Sequence, residues 1–500
     1  MPWNSDATFA KDLRGAIHKM DLYAAKDSPM PKICLRALSR VIAASSAAIA
    51  MSCSAQSNTS PSLPPLAITN VTVIDAVQAQ RLRARTVLID DGRITAVGAA
   101  AAIALPHDAV RIDGRGKFLV PGLVEMHVHL FNNASHRPPN DWTFPLFVAN
   151  GVTGVREMAA RPEQIAQVRH WNEGVDSGAL VAPRVLAAGV PVNGASASDV
   201  RASVREAAEQ GADFIKVFSE VPAPQWHAIL DEARQRRIPV DGHVPATVTL
   251  IDAARAGQRT AEHLMQAYEA CSSVEDKVIA LRVGLAGDAA VELRDQQERE
   301  VLEKFDRSTC LKKAQVVAQT RQAEVPTLVL SRFETVPAGS DFSTDPRWSL
   351  LRADEQVRWQ RILRQRSADD AKLAAQRWKV SCDITRIMNS AGIALLAGTD
   401  TPMPLNYPGY SLHDELELLV ACGLSTAQAL QAATTRPARL LNLADSSGAV
   451  EAGKRADLVL LDADPLHDIH NLRRIRAVIL AGHLLRREQL DAALGTAAHK

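Results

Sequence analysis

The chain has 500 residues, 47% hydrophobic and 23% charged, with 57 Lys and Arg against 56 Asp and Glu for a formal net charge of +1. Such a length fits one large domain with an appendage, or two to three domains, and the composition excludes a largely disordered, collagen-like or many-span membrane chain. A near-neutral balance with 4% aromatics offers neither the basic field nor the stacking platforms that a nucleic-acid partner needs, and 6 cysteines in so long a chain are not a disulfide scaffold.

Residues 30–56 read MPKICLRALSRVIAASSAAIAMSCSAQ. Lys32, Arg36 and Arg40 precede a short run of apolar and small residues from Val41 to Met51, and small residues surround Cys53. This is the layout of a secretory signal peptide, too short to span a membrane as an ordinary helix. Two processing routes compete: lipidation of Cys53 as an anchor, and cleavage after Ala55. Ala50 stands where a bacterial lipobox prefers Leu, which favours the soluble form. The expected location is periplasmic or secreted, with an outer-membrane lipoprotein as the other outcome. Met30 opens a better signal than Met1 does, so it is the expected start. Residues 57–65, SNTSPSLPP, have linker composition, and 1–65 are set apart from the fold.

Residues 66–98 alternate apolar and polar side chains around Asp91-Gly92, which reads as a hairpin turn. Gly448 to Leu485 repeats that pattern near the other end. The two patches, 66–118 and 446–490, are expected to form one small β-sandwich closed by both chain ends, leaving 491–500 as a tail. Between them, short apolar strands alternate with helical stretches. The expected strands are 118–130, 151–158, 184–190, 212–218, 238–244, 259–264, 325–332 and 393–400. Residues 199–210 and 223–236 have helical composition or spacing. Eight βα units point to a TIM (β/α)8 barrel over 119–445, with 265–324 as a helical insertion at one rim.

In such a barrel the active site lies at the C-terminal strand ends. Those ends carry His127, His129, Lys216, His243, His263 and Asp400. Glu125, His127 and His129 share one side of their strand, so the two imidazoles can converge on one metal ion. Taken singly, each residue has a plainer reading: a rim histidine, a salt-bridged lysine, an aspartate capping a turn. All six at strand ends together read as a metal site around one cavity.

The segments Pro-Gly-Leu-Val-Glu-Met-His-Val-His (121–129), Gly-His-Val-Pro (242–245), Ala-Glu-His-Leu (261–264) and Ala-Gly-Thr-Asp-Thr-Pro (397–402) resemble the signature of the amidohydrolase superfamily. Gly-Lys-Arg-Ala-Asp-Leu-Val-Leu-Leu-Asp (453–462) resembles its C-terminal β-domain. The resemblance covers about 66–490 and looks closest to the imidazolonepropionase-related and prolidase-like branch. It implies two divalent metal ions, commonly zinc. His127, His129 and Asp400 would bind the first and His243 and His263 the second. Lys216, carboxylated by CO2, would bridge them. It further implies hydrolysis of an amide, peptide or cyclic amide bond in a small-molecule substrate by a metal-bridging hydroxide, with Asp400 as general base. A lactonase, ester or organophosphate hydrolase using the same site is one alternative. An inactive secreted binding protein is another. The Gly-Gly-His that many prolidase-like members carry after strand three is missing from Ala188–Gly194. Arg156, Arg332 and Tyr268 are the candidate replacements for holding a substrate carboxylate.

Residues 411–421 read as an amphipathic helix with Ser411 near its cap and His413 on the surface of its first turn. Cys271 and Cys310 lie in the insertion and are placed to pair in an oxidising compartment. Cys382 and Cys422 read as buried and inert.

Overall fold

The computed structural model describes residues 64–131, 138–285, 287–337, 339–365 and 368–497. The signal-peptide and linker assignments, Cys53 included, lie outside the described residues apart from 64 and 65. No helix among the described residues is long and apolar enough to cross a membrane.

Strands β1 (Leu66–Asp75), β2 (Gln80–Asp90), β3 (Arg93–Ala99), β4 (Val110–Asp113) and β5 (Phe118–Pro121) open the described chain. Strands β13 (Leu458–Leu461), β14 (Ile475–Leu480) and β15 (His483–Arg486) lie near its end, and helix Arg487–Ala497, with Leu490 buried, takes up most of the expected tail. Asp91 and Gly92, both at positive φ, make the β2–β3 turn. The two groups join through β5, which pairs in parallel with β1 and antiparallel with β13. The order is β15-β14-β13-β5-β1-β2-β3, with β4 on β1. Both chain ends therefore meet, but in one hydrogen-bonded sheet of eight strands; the expected sandwich of two sheets is not what the pairing forms.

Period-2 alternation explains why the middle strands of this sheet, β5, β13 and β14, are buried on both faces. Leu119, Leu458, Leu460 and Ile479 enter a core with Ile68, Val73 and Val87. Their neighbours Val120, Val459, Leu461 and Val478 enter the main core instead. A strand covered on both sides reads as a continuous apolar run, as Leu-Val-Leu-Leu does in β13.

The middle of the chain holds β6 (Leu123–Val128), β7 (Val152–Glu157), β8 (Arg184–Pro191), β9 (Phe214–Val217) and β10 (Val240–Gly242), a five-stranded sheet paired in parallel. Strands β11 (Thr260–Glu262) and β12 (Ala323–Val325) form a separate parallel pair. Helices Ala197–Gln210 and Ala223–Arg236 cross between successive strands and bury Val200, Val204, Trp226 and Ile229. Ser196 caps the first by accepting from Asp199 N, and Gly211 ends it in a left-handed turn.

The expected closed ladder of eight regular strands is replaced by a parallel half-barrel of five strands and the pair β11–β12. Residues 118–130 are two strands, because at Gly122 the chain passes from the end sheet to the parallel sheet. Gly122 N donates to Asp457 O and Leu123 N to Gly151 O. A Cβ on Gly122 would run into Thr153. Residues 325–332 contain only the end of β12. Thr327 turns at φ 47° and Leu328–Phe333 is helical. Residues 393–401 are not a regular strand, yet backbone hydrogen bonds tie them to β12 (Leu396 N to Glu324 O, 2.9 Å) and to β6 (Met126 N to Ala397 O and Asp400 N to His127 O, both 2.9 Å). Gly398 permits this approach, since a Cβ there would lie 2.7 Å from Val325 and 3.0 Å from His127.

Helices Met265–Ala270, Glu275–Ala280, Gly287–Glu303 and Arg307–Ala318 occupy the expected insertion. Cys271 and Cys310 are disulfide-bonded there. Cys382 and Cys422 are also disulfide-bonded, joining helix Ala368–Ala391 to the residue after helix Tyr410–Ala421; their reading as buried and inert is corrected by that pairing, and Cys382 is only half-buried. That second helix is capped by Gly409, with Ser411 and His413 buried inside it. His413 is a core residue whose Nε2–H donates to Asn150 O at 2.8 Å, not a surface one.

Candidate metal centre

Two short segments at positive φ aim side chains into one region. His263 (φ 66°) and Leu264 (φ 58°) follow β11, and Asp400 (φ 62°) follows the 393–399 segment. These conformations are uncommon for residues other than glycine and gather where a site over-determines the backbone. His127 lies in β6 and His129 just beyond it, while His243 follows β10 at Gly242.

His129 Nε2 lies 2.9 Å and His127 Nε2 3.4 Å from Asp400 Oδ1. The three offer ligand atoms that all lie within 4.8 Å of one another. The ring centre of His127 is 5.4 Å from that of His129 and 4.6 Å from that of His263, which is 5.0 Å from that of His243. Lys216, in β9, is fully buried, with Nζ 5.0 Å from the centre of the Phe218 ring. Its stem fits because position 242 is glycine: a Cβ there would stand 2.6 Å from Lys216 Cδ. His127, His129 and Asp400 thus form one group of ligand atoms, the rings of His263 and His243 follow beside it, and Lys216 packs against Gly242, next to His243.

The electrostatics suit cation binding. Burial pushes the His127 imidazolium equilibrium well down, with the Lys216 charge acting the same way. His263 is lowered to about 4, by burial first, with Asp400 opposing and Lys216 assisting. Both rings are therefore neutral at ordinary pH and have a lone pair for a metal. Burial works to raise the Asp400 carboxyl, but the His129 hydrogen bond and charge, with the nearby His263 and Lys216, hold it below its ordinary range. The buried Nε2 of His127 has no hydrogen-bond partner among the described residues and faces Asp400. An orphaned imidazole nitrogen beside an imidazole and a carboxylate is a donor set that fits a divalent ion.

Further residues around the site were not among the expected ligands. His127 Nδ1 is 2.8 Å from Glu262 Oε2, and Arg156 reaches Glu262 Oε1 at 2.8 Å and Asp241 Oδ2 at 3.0 Å. Arg156 is thus a fully buried member of a charged network and cannot take a substrate carboxylate. Arg332 is exposed on helix Leu328–Phe333. Tyr268 Oη bonds Ser381 Oγ at 2.8 Å. Thr327 Oγ1 donates to Pro326 O and so accepts from His263 Nδ1–H, both at 2.8 Å. Ser219 Oγ is 3.3 Å from His243 Nδ1. Glu157 accepts from Leu130 N and Ala159 N, and burial raises it to about 6. Glu125 accepts from Thr399 Oγ1, and burial raises it to about 8. Glu262 had one visible signal, its place directly before His263, but its partner His127 is 135 positions away in sequence.

The model of the amidohydrolase family matches residues 118–485. Adenine deaminase 2 of Shouchella clausii is 33% identical over 101 residues, 20% of this chain and 16% of that protein. The chain aligns with only 16% to 18% of the length of the curated relatives. Among solved structures, a candidate prolidase from Bifidobacterium longum is 25% identical, with a TM-score of 0.58 over 87% of this chain and 100% of its own. Bottromycin amidohydrolase, 22% identical, shares the fold with a TM-score of 0.65 over 87% of this chain and 90% of its own.

Proposed function

This chain belongs to the amidohydrolase family, and we propose that it is a metal-dependent hydrolase cleaving the carbon–nitrogen bond of an amide, peptide or cyclic amide. The observation that carries the reading is the convergence of His127, His129 and Asp400, with His243, His263 and Lys216 beside them. In this reading His127, His129 and Asp400 hold one divalent ion and His243 and His263 a second. Lys216, once carboxylated by CO2, would supply further anionic oxygens to hold them. A buried bare ammonium beside two dications is strongly disfavoured, whereas a carbamate supplies two anionic oxygens. The mixed imidazole and carboxylate donors suit zinc. Such ions polarise a carbonyl and bring the ionisation of bound water towards neutral pH.

Asp400 is the general base. Its carboxylate, held below the usual range, is an acceptor at neutral pH, and it faces both imidazoles. It takes the proton of the attacking water and delivers it to the departing nitrogen. The identity to a candidate prolidase over that protein's whole length favours dipeptides and N-acyl amino acids among the substrates. We read the parallel half-barrel within 119–445 as the catalytic unit, with the chain-end sheet as a second domain. Residues 30–56 serve as a signal peptide, placing the protein in the periplasm or outside the cell, and the two disulfides support an oxidising compartment.

The test is metal content together with turnover of a panel of dipeptides, N-acyl amino acids and lactones. Metal-dependent release of an amine is the expected result. Turnover of lactones alone would assign the site to ester chemistry, and metal-free protein with no turnover would make it a binding protein.

A further inference from the structure

A histidine binds a metal as the neutral ring, through one nitrogen while the other keeps the proton, so only one nitrogen of His127 can serve. Its Nε2 faces Asp400 and its Nδ1 faces Glu262. Glu262 does not stand alone. Its Oε1 accepts from Arg156 Nη2 at 2.8 Å and from Thr260 Oγ1 at 2.6 Å. Arg156 is held in turn by Met126 O at 2.7 Å through Nε and by Asp241 Oδ2 at 3.0 Å through Nη1. Asp241 is gripped on its other side by Arg259, at 2.9 and 2.6 Å. Arg156, Asp241 and Thr260 are fully buried, and Glu262 is 1% exposed. One oxygen of Glu262 is thus committed to two donors, and its second oxygen has His127 Nδ1 as hydrogen-bond partner.

We propose that Glu262, fixed by Arg156 and Thr260, is a positioning residue that holds the His127 proton on Nδ1 and so keeps Nε2 open for the metal. The proposal rests on the metal-centre reading for its purpose, but the contact that would set the tautomer is present without metal. The network also states what an amide would do at position 262. Arg156 and Thr260 both donate to the Oε1 position, so the amide oxygen of Glu262→Gln settles there. Its NH2 group then faces His127 Nδ1. That nitrogen must accept, the ring proton moves to Nε2, and the metal-binding lone pair is lost. The flipped amide would set its NH2 against a buried guanidinium, which has no acceptor. A near-isosteric change therefore acts through the tautomer.

Two measurements test this. In wild-type protein without metal, 15N-histidine spectra, with His127→Asn to assign the signal, should place the His127 proton on Nδ1. A proton on Nε2 would overturn the proposal. Zinc affinity is then measured by competition with a chromogenic chelator for wild type, Glu262→Gln and Thr260→Val. Thr260→Val disturbs the same buried network but leaves the carboxylate against His127. Glu262→Gln should bind zinc about 10- to 100-fold more weakly, and Thr260→Val should stay within about threefold of wild type, well short of that loss. Equal affinity in wild type and Glu262→Gln, or an equal loss in both variants, sinks the idea. If Glu262→Gln does not fold, the wild-type spectrum decides. If wild type binds no metal, the metal-centre reading fails while the spectrum still decides the tautomer.

Discussion

Gly242 shows how one missing side chain makes room for a site. It sits at φ 114°, and a Cβ there would meet Val217 O at 2.5 Å and Lys216 Cδ at 2.6 Å. A backbone oxygen cannot move aside as a flexible side chain can. Gly242→Ala is expected to cost about 1–3 kcal/mol from strain alone, read as a fall in the urea midpoint, and to disturb Lys216. Lys216 has its own test. If it bridges two ions, Lys216→Ala should carry one metal in place of two and lose orders of magnitude in kcat, with short carboxylic acids restoring part of the rate. Two metals and a near-normal kcat in that variant would leave a mononuclear site of His127, His129, His243 and Asp400. His413 makes a separate prediction about pH. Burial, assisted by the Arg473 charge, lowers it to about 4, against about 6.5 in the unfolded chain. Between those values the unfolded state takes up a proton that the folded state refuses. The contribution of His413 is full above pH 6.5 and falls as pH drops towards 4, by about 1.4 kcal/mol per unit. Unfolding curves of His413→Gln should show a shallower loss over that window than wild type.

At the level of elements, the segment around Val325 to Arg332 separates what periodicity can and cannot tell. A short apolar run is compatible with a buried strand or a buried helix, and here it is the end of β12, a left-handed turn at Thr327 and a helix. That turn gives Thr327 its contact with His263. Helix Tyr410–Ala421 misleads in another way: its polar residues divide, with Asp414 and Glu417 half-exposed and paired with Arg473 while Ser411, His413 and Glu415 are buried with the leucines. The disulfides tie such helices together. Cys271–Cys310 spans 39 positions and Cys382–Cys422 spans 40. For loops of this length the chain-entropy model gives about 3–4 kcal/mol each. Cys382→Ser with Cys422→Ser should lower the melting temperature of the oxidised protein, and reduction of wild type should lower it further. Free thiols at those positions in peptide mapping of the oxidised protein would contradict the pairing.

The whole molecule depends on its two chain ends meeting. β5 is flanked by β1 from the start of the described chain and by β13 from near its end, and β5 runs directly into β6, which carries His127. Removing residues 456–500 takes away β13, β14 and β15. That strips one ladder from β5 and one wall from each core cluster, since Leu458 and Leu460 belong to one and Val459 and Leu461 to the other. The truncated chain is expected to lose cooperative unfolding and metal binding together. A fragment that melts in one sharp transition and binds zinc as the full chain does would show that the chain-end sheet is dispensable.

Local chemistry was enough for several features: the Asp91-Gly92 turn, the helices at 199–210 and 223–236, and the positions of the histidines, the lysine and the aspartate at the ends of apolar runs. Each depends on contacts a few residues apart, where alternation or helical spacing acts directly. Pairing across long separations was decided only in three dimensions. Gly122 divides one apolar run between two sheets because Thr153 and Asp457 arrive beside it from elsewhere in the chain. Glu262 meets His127, Arg156 meets Asp241, and Cys382 meets Cys422 for the same reason. A sequence pattern records which face a residue occupies, but which partner faces it there is set by packing and by the hydrogen bonds that buried polar groups must find.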